Sequence, residues 1–250
     1  MQTLLNTPHE IIQQNILGAA AKAKTRILNI LVLGMMAGSF IAMGAQSSSL
    51  AVHNISNIGL ARTLAGCIFP VGLMMIVFVG GELFTGDCMM SMAWMQRKIH
   101  FADMLRTLVL VYVSNFVGAA LIAFLVAHSG QYDYSSGAYT IKVAYGKVHL
   151  SFANALISGI LCNILVCVAV LMAAAAKDIA GKVLAIFFPI LAFVVSGFEH
   201  CVANMYYIPA GIFASKNAAY AAKALELYNI DSTQLSSLNW GSFAISNLIP

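Results

Sequence analysis

The chain has 250 residues, of which 60% are hydrophobic and only 9% charged, and its mean hydropathy is +0.85. Soluble domains carry about a quarter charged residues, and disordered chains need high charge with little apolar content, so both classes are excluded. The net charge of +4 is small and scattered, which leaves no footprint for nucleic acid.

The length suits about six membrane spans and their loops. The first 26 residues lack a continuous apolar core, so no signal peptide is expected. Thr7-Pro8-His9-Glu10 reads as a capping box with proline at the first helical position. Ile11, Ile12, Ile16 and Leu17 then form a short apolar face. Residues 1–26 are therefore expected to carry an amphipathic helix at the cytoplasmic membrane surface, and residues 27–250 the transmembrane domain.

Hydropathy and turn residues place spans near 27–45, 64–95, 104–127, 150–176 and 183–214. A sixth opens near residue 240 and is incomplete at Pro250. The second and fifth are too long: 32 residues of continuous helix measure ~48 Å, against a hydrocarbon core of ~30 Å. Both carry glycine and ionisable residues at mid-length, in VGGELFTGD (Val79 to Asp87) and SGFEHCVAN (Ser196 to Asn204). Broken backbone at membrane depth survives only where protein or a wet cavity satisfies it. Two helices interrupted mid-membrane are expected, each the second member of its half. That placement is the mark of an inverted three-plus-three repeat with its site where the broken helices meet.

Lysine and arginine set the orientation. Lys22, Lys24, Arg26, Arg97, Lys98, Arg106, Lys177 and Lys182 fall on one side. Arg62, Lys142, Lys147, Lys216 and Lys223 are spread over longer loops on the other. The richer side, with the N-terminus, is read as cytoplasmic.

His200 is the one histidine of six inside a span, beside Glu199 at a break. With an ordinary pKa near 6.5, an imidazole can donate to an anion or lend a proton near neutral pH. Thr85 offers a hydroxyl at the opposite break. Glu82 and Glu199 are read as helix-break support, accepting N–H groups that the interruptions free. Lys147, in GKVHLSF, is either a snorkelling interfacial lysine or an anion-gathering group at a vestibule mouth. Phe69, Leu73, Leu83, Phe84 and Phe193 either pack the bundle or form hydrophobic constrictions. Gly34-Met35-Met36-Ala37-Gly38 is a GxxxG stretch suited to close helix contact or oligomerisation.

The five cysteines fall in apolar stretches with no CxxC pair, and read as small buried hydrophobes. HExxH and GxSxG are missing, and His200 has no second histidine within a span, so neither a metal, a cofactor nor an enzyme is expected. A sodium-coupled anion transporter is the competing class, with Glu82 or Glu199 at its ion site.

Three stretches together, GELFTG at 81–86, GILCNILVC at 159–167 and SGFEHCVANMYYIP at 196–209, closely resemble the formate/nitrite transporter family. The resemblance extends to SNLIP at 246–250, which is similar to the opening of that family's sixth helix. It implies an all-α membrane protein: an aquaporin-like six-helix bundle, assembled as a homopentamer with one pore per protomer in the cytoplasmic (inner) membrane. It also implies that His200, Thr85, Lys147, Asn163 and Asn204 line the pore. Constrictions would fall at Phe69, Leu73, Leu83, Phe84 and Phe193. The expected partners are small monovalent weak-acid anions and their conjugate acids, the lipid bilayer and further copies of the chain. MYYIP and GKVHLSF resemble formate channels, whereas GELFTG in place of GDLFTS leans toward nitrite or hydrosulfide relatives. Formate is the expected substrate.

Overall fold

The computed structural model describes residues 5–250; residues 1–4 of the expected N-terminal segment lie outside it. A capping box closes α1 (Pro8–Lys22): the Thr7 hydroxyl accepts from the Glu10 amide, and the Glu10 carboxylate accepts from the Thr7 amide. There follow α2 (Ile27–Val52), α3 (Ile58–Ile68) and α4 (Val71–Val79), the last two one rod bent at Phe69-Pro70. Beyond a break come the short α5 (Phe84–Asp87) and α6 (Met90–Met95), then α7 (Phe101–His128). The second half holds α8 (Tyr134–Val148), α9 (Phe152–Ala175) and α10 (Ile179–Ser196), a second break, and α11 (Cys201–Ala214). It ends with α12 (Ala218–Tyr228), α13 (Ser232–Ser237) and α14 (Trp240–Phe243), which runs on into one π turn at Ala244–Leu248.

Among the described residues, five stretches are long and apolar enough to cross a membrane: 27–52, 58–79, 101–128, 152–175 and 179–196. Together with α11 and the start of a sixth span at α14, they match the expected order. The expected boundaries shift in three places, one of them the fifth span, which begins at Ile179 and not at 183. The first span runs on to Val52, and α3 begins at Ile58 behind an Asn57 cap, so that Arg62 lies within the second span's helix. Two helices were read as loop: α8, opened by a capping box at Asp133, and α12, capped by Asn217.

The outward faces of α7 and α9 keep Val109, Val113, Leu121, Ile157, Ile160 and Ile164 exposed. A row of bare apolar side chains is costly in water and suited to hydrocarbon or a neighbouring helix. The protein is a multi-pass membrane protein.

The inner seam is made by small residues. Gly34 and Gly38 of α2 face Ser114, Asn115 and Gly118 of α7. A methyl group on Gly38 would collide with the Asn115 carbonyl, and one on Gly118 with the Met35 carbonyl. The GxxxG stretch therefore serves helix contact within the chain. Since both obstacles are backbone, a Gly38→Ala variant should lose about 3 kcal/mol, at the upper end of overpacking costs. A lowered melting temperature in detergent would show it; an unchanged one would mean the helices separate freely.

Arg106 stands at one end of the bundle and Arg62, Lys142 and Lys223 at the other. Arg106 donates to the Ala23 and Thr25 carbonyls, and Asn6 bonds to Ala174 and Ala175, so the ends of α1, α7 and α9 gather on one side. At the other end Ser135 donates to Asn54, near Arg62, Lys142 and Lys223.

Lys22, in the last turn of α1, pairs with both Glu82 and Asp87. Burial works to lower its pKa, but the two carboxylates overcome this and hold it above the usual lysine value of 10.5. A raised folded-state pKa gives stability that is complete below the unfolded value and lost as pH rises through the folded one. The contribution of Lys22 to α1 docking should therefore persist up to about pH 10 and be lost beyond it. Lys22→Met strands two carboxylates and should cost about 2–3 kcal/mol, below the ~3–5 of a fully buried pair because Lys22 is partly exposed. Faster proteolysis between residues 20 and 30 is the readout.

Candidate functional site

The two breaks share one plan. Each opens with a glycine at positive φ, Gly80 (+104°) and Gly197 (+74°), where a side chain would be strained. Two residues later stands a glutamate, Glu82 or Glu199. Then comes the N-cap position of the next half-helix, Leu83 or His200.

Freed backbone is satisfied by side chains from neighbouring spans. At the first break Asn115 of α7 donates to the Gly34 and Glu82 carbonyls (both 2.8 Å) and accepts from the Phe84 amide (3.0 Å). The Glu82 amide donates to the Leu33 carbonyl (3.2 Å). At the second, the Glu199 amide donates to the Ser158 hydroxyl (2.9 Å), and the Ala203 amide to His200 Nδ1 (3.0 Å). Asn204 donates to Glu199 Oε2 (2.8 Å) and to Asn247 (2.7 Å), which in turn donates to the Lys147 carbonyl (3.0 Å).

This corrects the reading of the two glutamates. Neither carboxylate takes a freed N–H; each takes a lysine from another segment. Glu82 is paired with Lys22, and Glu199 accepts from Lys147 at 2.6 Å. Amide and hydroxyl groups secure the backbone instead, since a neutral acceptor spares the site a buried charge. Asn115 was missed by the sequence reading, although it repeats in kind: Ser114-Asn115 in the third span matches Ser246-Asn247 in the sixth.

His200 is 4% exposed and Thr85 equally so. Because Nδ1 accepts a backbone amide, the proton of the neutral ring sits on Nε2, which faces the Thr85 hydroxyl at 3.5 Å. Phe193 stacks beside the imidazole at 5.9 Å between centroids, and Phe69 meets Phe193 edge-on at 5.4 Å. On this side lies a cavity of about 340 Å³, lined by Phe69, Phe193, His200, Lys147, Glu199 and Arg62. Toward α1 lies another of about 370 Å³, where Leu73 and Leu83 stand with Lys22 and Asp87. Phe84, Thr85, Asn163, Glu199 and Asn204 also line a lateral groove of about 530 Å³ beside Asn247 and Pro250. Phe84 packs there on Tyr112, with 4.8 Å between ring centroids.

The structure thus brings His200, Thr85, Phe69 and Phe193 together, with Leu73 and Leu83 on the α1 side. Asn163 approaches the site only along the groove. Among the described residues, no group of three or more His, Cys, Asp or Glu side chains is placed to hold a metal ion. Exchanging Asn115→Leu removes three backbone anchors of near-equal volume. Orphaned buried groups cost about 1–3 kcal/mol each, so the variant should lose about 3 kcal/mol or more. Thermal melting in detergent measures it, and unchanged melting would show that the first break needs no amide.

The model of the formate/nitrite transporter family matches residues 9–250. An uncharacterized transporter, YrhG, of Bacillus subtilis is 38% identical, spanning 97% of this chain and 85% of the relative. The formate channel BtFdhC of Bacillus thuringiensis is 39% identical over 83% of this chain and 82% of its own length. A solved structure of a pentameric formate channel with formate bound superposes with a TM-score of 0.77 at 30% identity, covering 90% of this chain and 89% of the other. With breaks and half-helices as described, the chain belongs to the formate/nitrite transporter family.

Proposed function

We propose that the chain assembles as a homopentamer in the cytoplasmic membrane, with residues 1–26 on the cytoplasmic side. Each protomer passes small monovalent weak-acid anions, formate first. The observation that carries this reading is one buried imidazole facing one buried hydroxyl, at the meeting of two broken helices, with a cavity to either side. Likeness to formate channels supports the substrate.

In this reading Phe69 and Phe193 form one collar, and Leu73, Leu83 and Phe84 the other. A bare carboxylate entering such a collar loses several kcal/mol of hydration. Protonating an acid of pKa near 4 at pH 7 costs only about 4 kcal/mol, so the neutral acid is the cheaper passenger. The anion enters the vestibule past the Lys147–Glu199 pair, takes a proton from water or by way of His200, and crosses while accepting from Nε2–H. Proton delivery by His200 has a stated geometric cost: the ring must first take a proton at Nδ1 and release the Ala203 amide that caps α11. Asn163 and Asn204 supply polar contacts beside the ring.

GELFTG favours nitrite or hydrosulfide as a second reading within the same family. Sodium coupling through Glu82 or Glu199 is disfavoured, because both carboxylates are already neutralised by lysines.

The test is flux in proteoliposomes with formate, nitrite, hydrosulfide and a neutral control, across pH. Formate flux should rise as pH falls toward its pKa, and His200→Asn should change the slope of that profile. An identical profile in a correctly folded variant removes His200 from proton delivery. Absence of all anion flux overturns the channel reading.

A further inference from the structure

The lysine expected to gather anions is not electrically free. Lys147 donates to Glu199 at 2.6 Å and lies 5.2 Å from the Tyr207 ring, so the pair presents almost no net charge to the vestibule. Further out, the 340 Å³ cavity shares walls at Val52, Arg62, Ala65 and Tyr139 with one of about 720 Å³. The outer chamber is lined by His53, Arg62, Lys142 and Lys223 and by no carboxylate.

Two of its cations are occupied. Lys223 pairs with Glu226 at 2.6 Å, and Lys142 lies 4.6 Å above the Tyr228 ring. Arg62 differs in place: like Lys142 it has no carboxylate partner among the described residues, but of these cations it alone borders both chambers. Its position is fixed by the break itself. The guanidinium packs over Gly197, where a Cβ would come within 3.4 Å of Nη2 and 3.5 Å of Cζ. A Cβ there would make only ordinary van der Waals contact, so it is the left-handed φ that calls for glycine.

We infer that Arg62 is the outer capture site for planar, two-oxygen anions, and that it selects them before they reach Lys147 and His200. The inference rests on the anion-channel reading. A guanidinium offers parallel N–H donors that match the two oxygens of a carboxylate or nitrite. Hydrosulfide has one spherical acceptor and gains only the charge. An ammonium in the same place would attract both kinds alike.

Arg62→Gln and Arg62→Lys, each matched to the parent in melting temperature, are compared in proteoliposomes over a range of formate, nitrite and hydrosulfide concentrations. Removal of a bidentate charged contact corresponds to about tenfold in affinity. Arg62→Gln should raise the half-saturating formate and nitrite concentrations about tenfold, keep the limiting flux, and move hydrosulfide far less. Arg62→Lys should restore hydrosulfide fully and formate only in part. Equal shifts for all three anions would reduce Arg62 to a point charge, and no shift would remove it from the path; either overturns the inference. Line broadening of ¹³C-formate by the detergent-solubilised protein gives a readout independent of flux. Broadening by the parent that Arg62→Gln abolishes supports the site even if no anion crosses. Broadening unchanged in Arg62→Gln overturns it whatever the flux.

Discussion

Backbone polar groups cannot be left bare in hydrocarbon, and this one constraint organises the molecule. An intact helix meets it alone; an interrupted one must borrow partners. The first interruption borrows the Asn115 amide of the third span, and the second the Ser158 hydroxyl of α9 and the ring nitrogen of its own His200. The site exists because this debt is met by neutral groups. Nε2–H of His200 is left pointing at Thr85, free of any backbone duty, while Nδ1 is held by the Ala203 amide.

Charge follows the same economy. Each break carries one glutamate, and each glutamate has a lysine from outside its own span: Lys22 from the N-terminal helix, Lys147 from the end of α8. Compensated pairs at the rims leave the collar region itself apolar, with Phe69, Phe193, Leu73 and Leu83 all nearly inaccessible. In the reading proposed above, a passenger there would meet one hydrogen-bond donor and little field, which favours a neutral species over an ion. Asp87 adds a second carboxylate to the Lys22 pair, so the chamber beside α1 is the more acidic of the two. Outside, Arg62 and Lys142, neither paired with a carboxylate among the described residues, give the opposite chamber its net positive face.

The breaks were legible because length and chemistry disagreed. An apolar run of 32 residues holding Gly-Gly-Glu or Gly-Phe-Glu-His cannot be one straight span, and that disagreement singles out His200 and Thr85 at the breaks. The roles of Glu82 and Glu199 were not legible, since a carboxylate beside a break suits an N–H or a lysine equally. Only tertiary placement chose Lys22 and Lys147. Asn115 carried a signal in its likeness to Asn247, within Ser-Asn pairs of the third and sixth spans, but a lone asparagine in an apolar run suggests helix packing first. Helices α8 and α12 were hidden by mean hydropathy, being too polar to read as spans and too short to stand out. Arg62 fell outside the expected second span because that span was trimmed at charge, whereas Asn57 starts its helix a turn and a half earlier.

Where α2 and α7 meet at Gly38 and Gly118, main chain rests on main chain with no compressible cushion between. A joint of that kind behaves as a hard stop: it transmits force without yielding. Breathing of the lumen must then be carried by rotamers of the ring and leucine side chains, or by tilting of the short rods after each glycine. Conductance should accordingly respond to substitutions in those small moving parts, and scarcely at all to gentle squeezing of the outer barrel by thicker lipid.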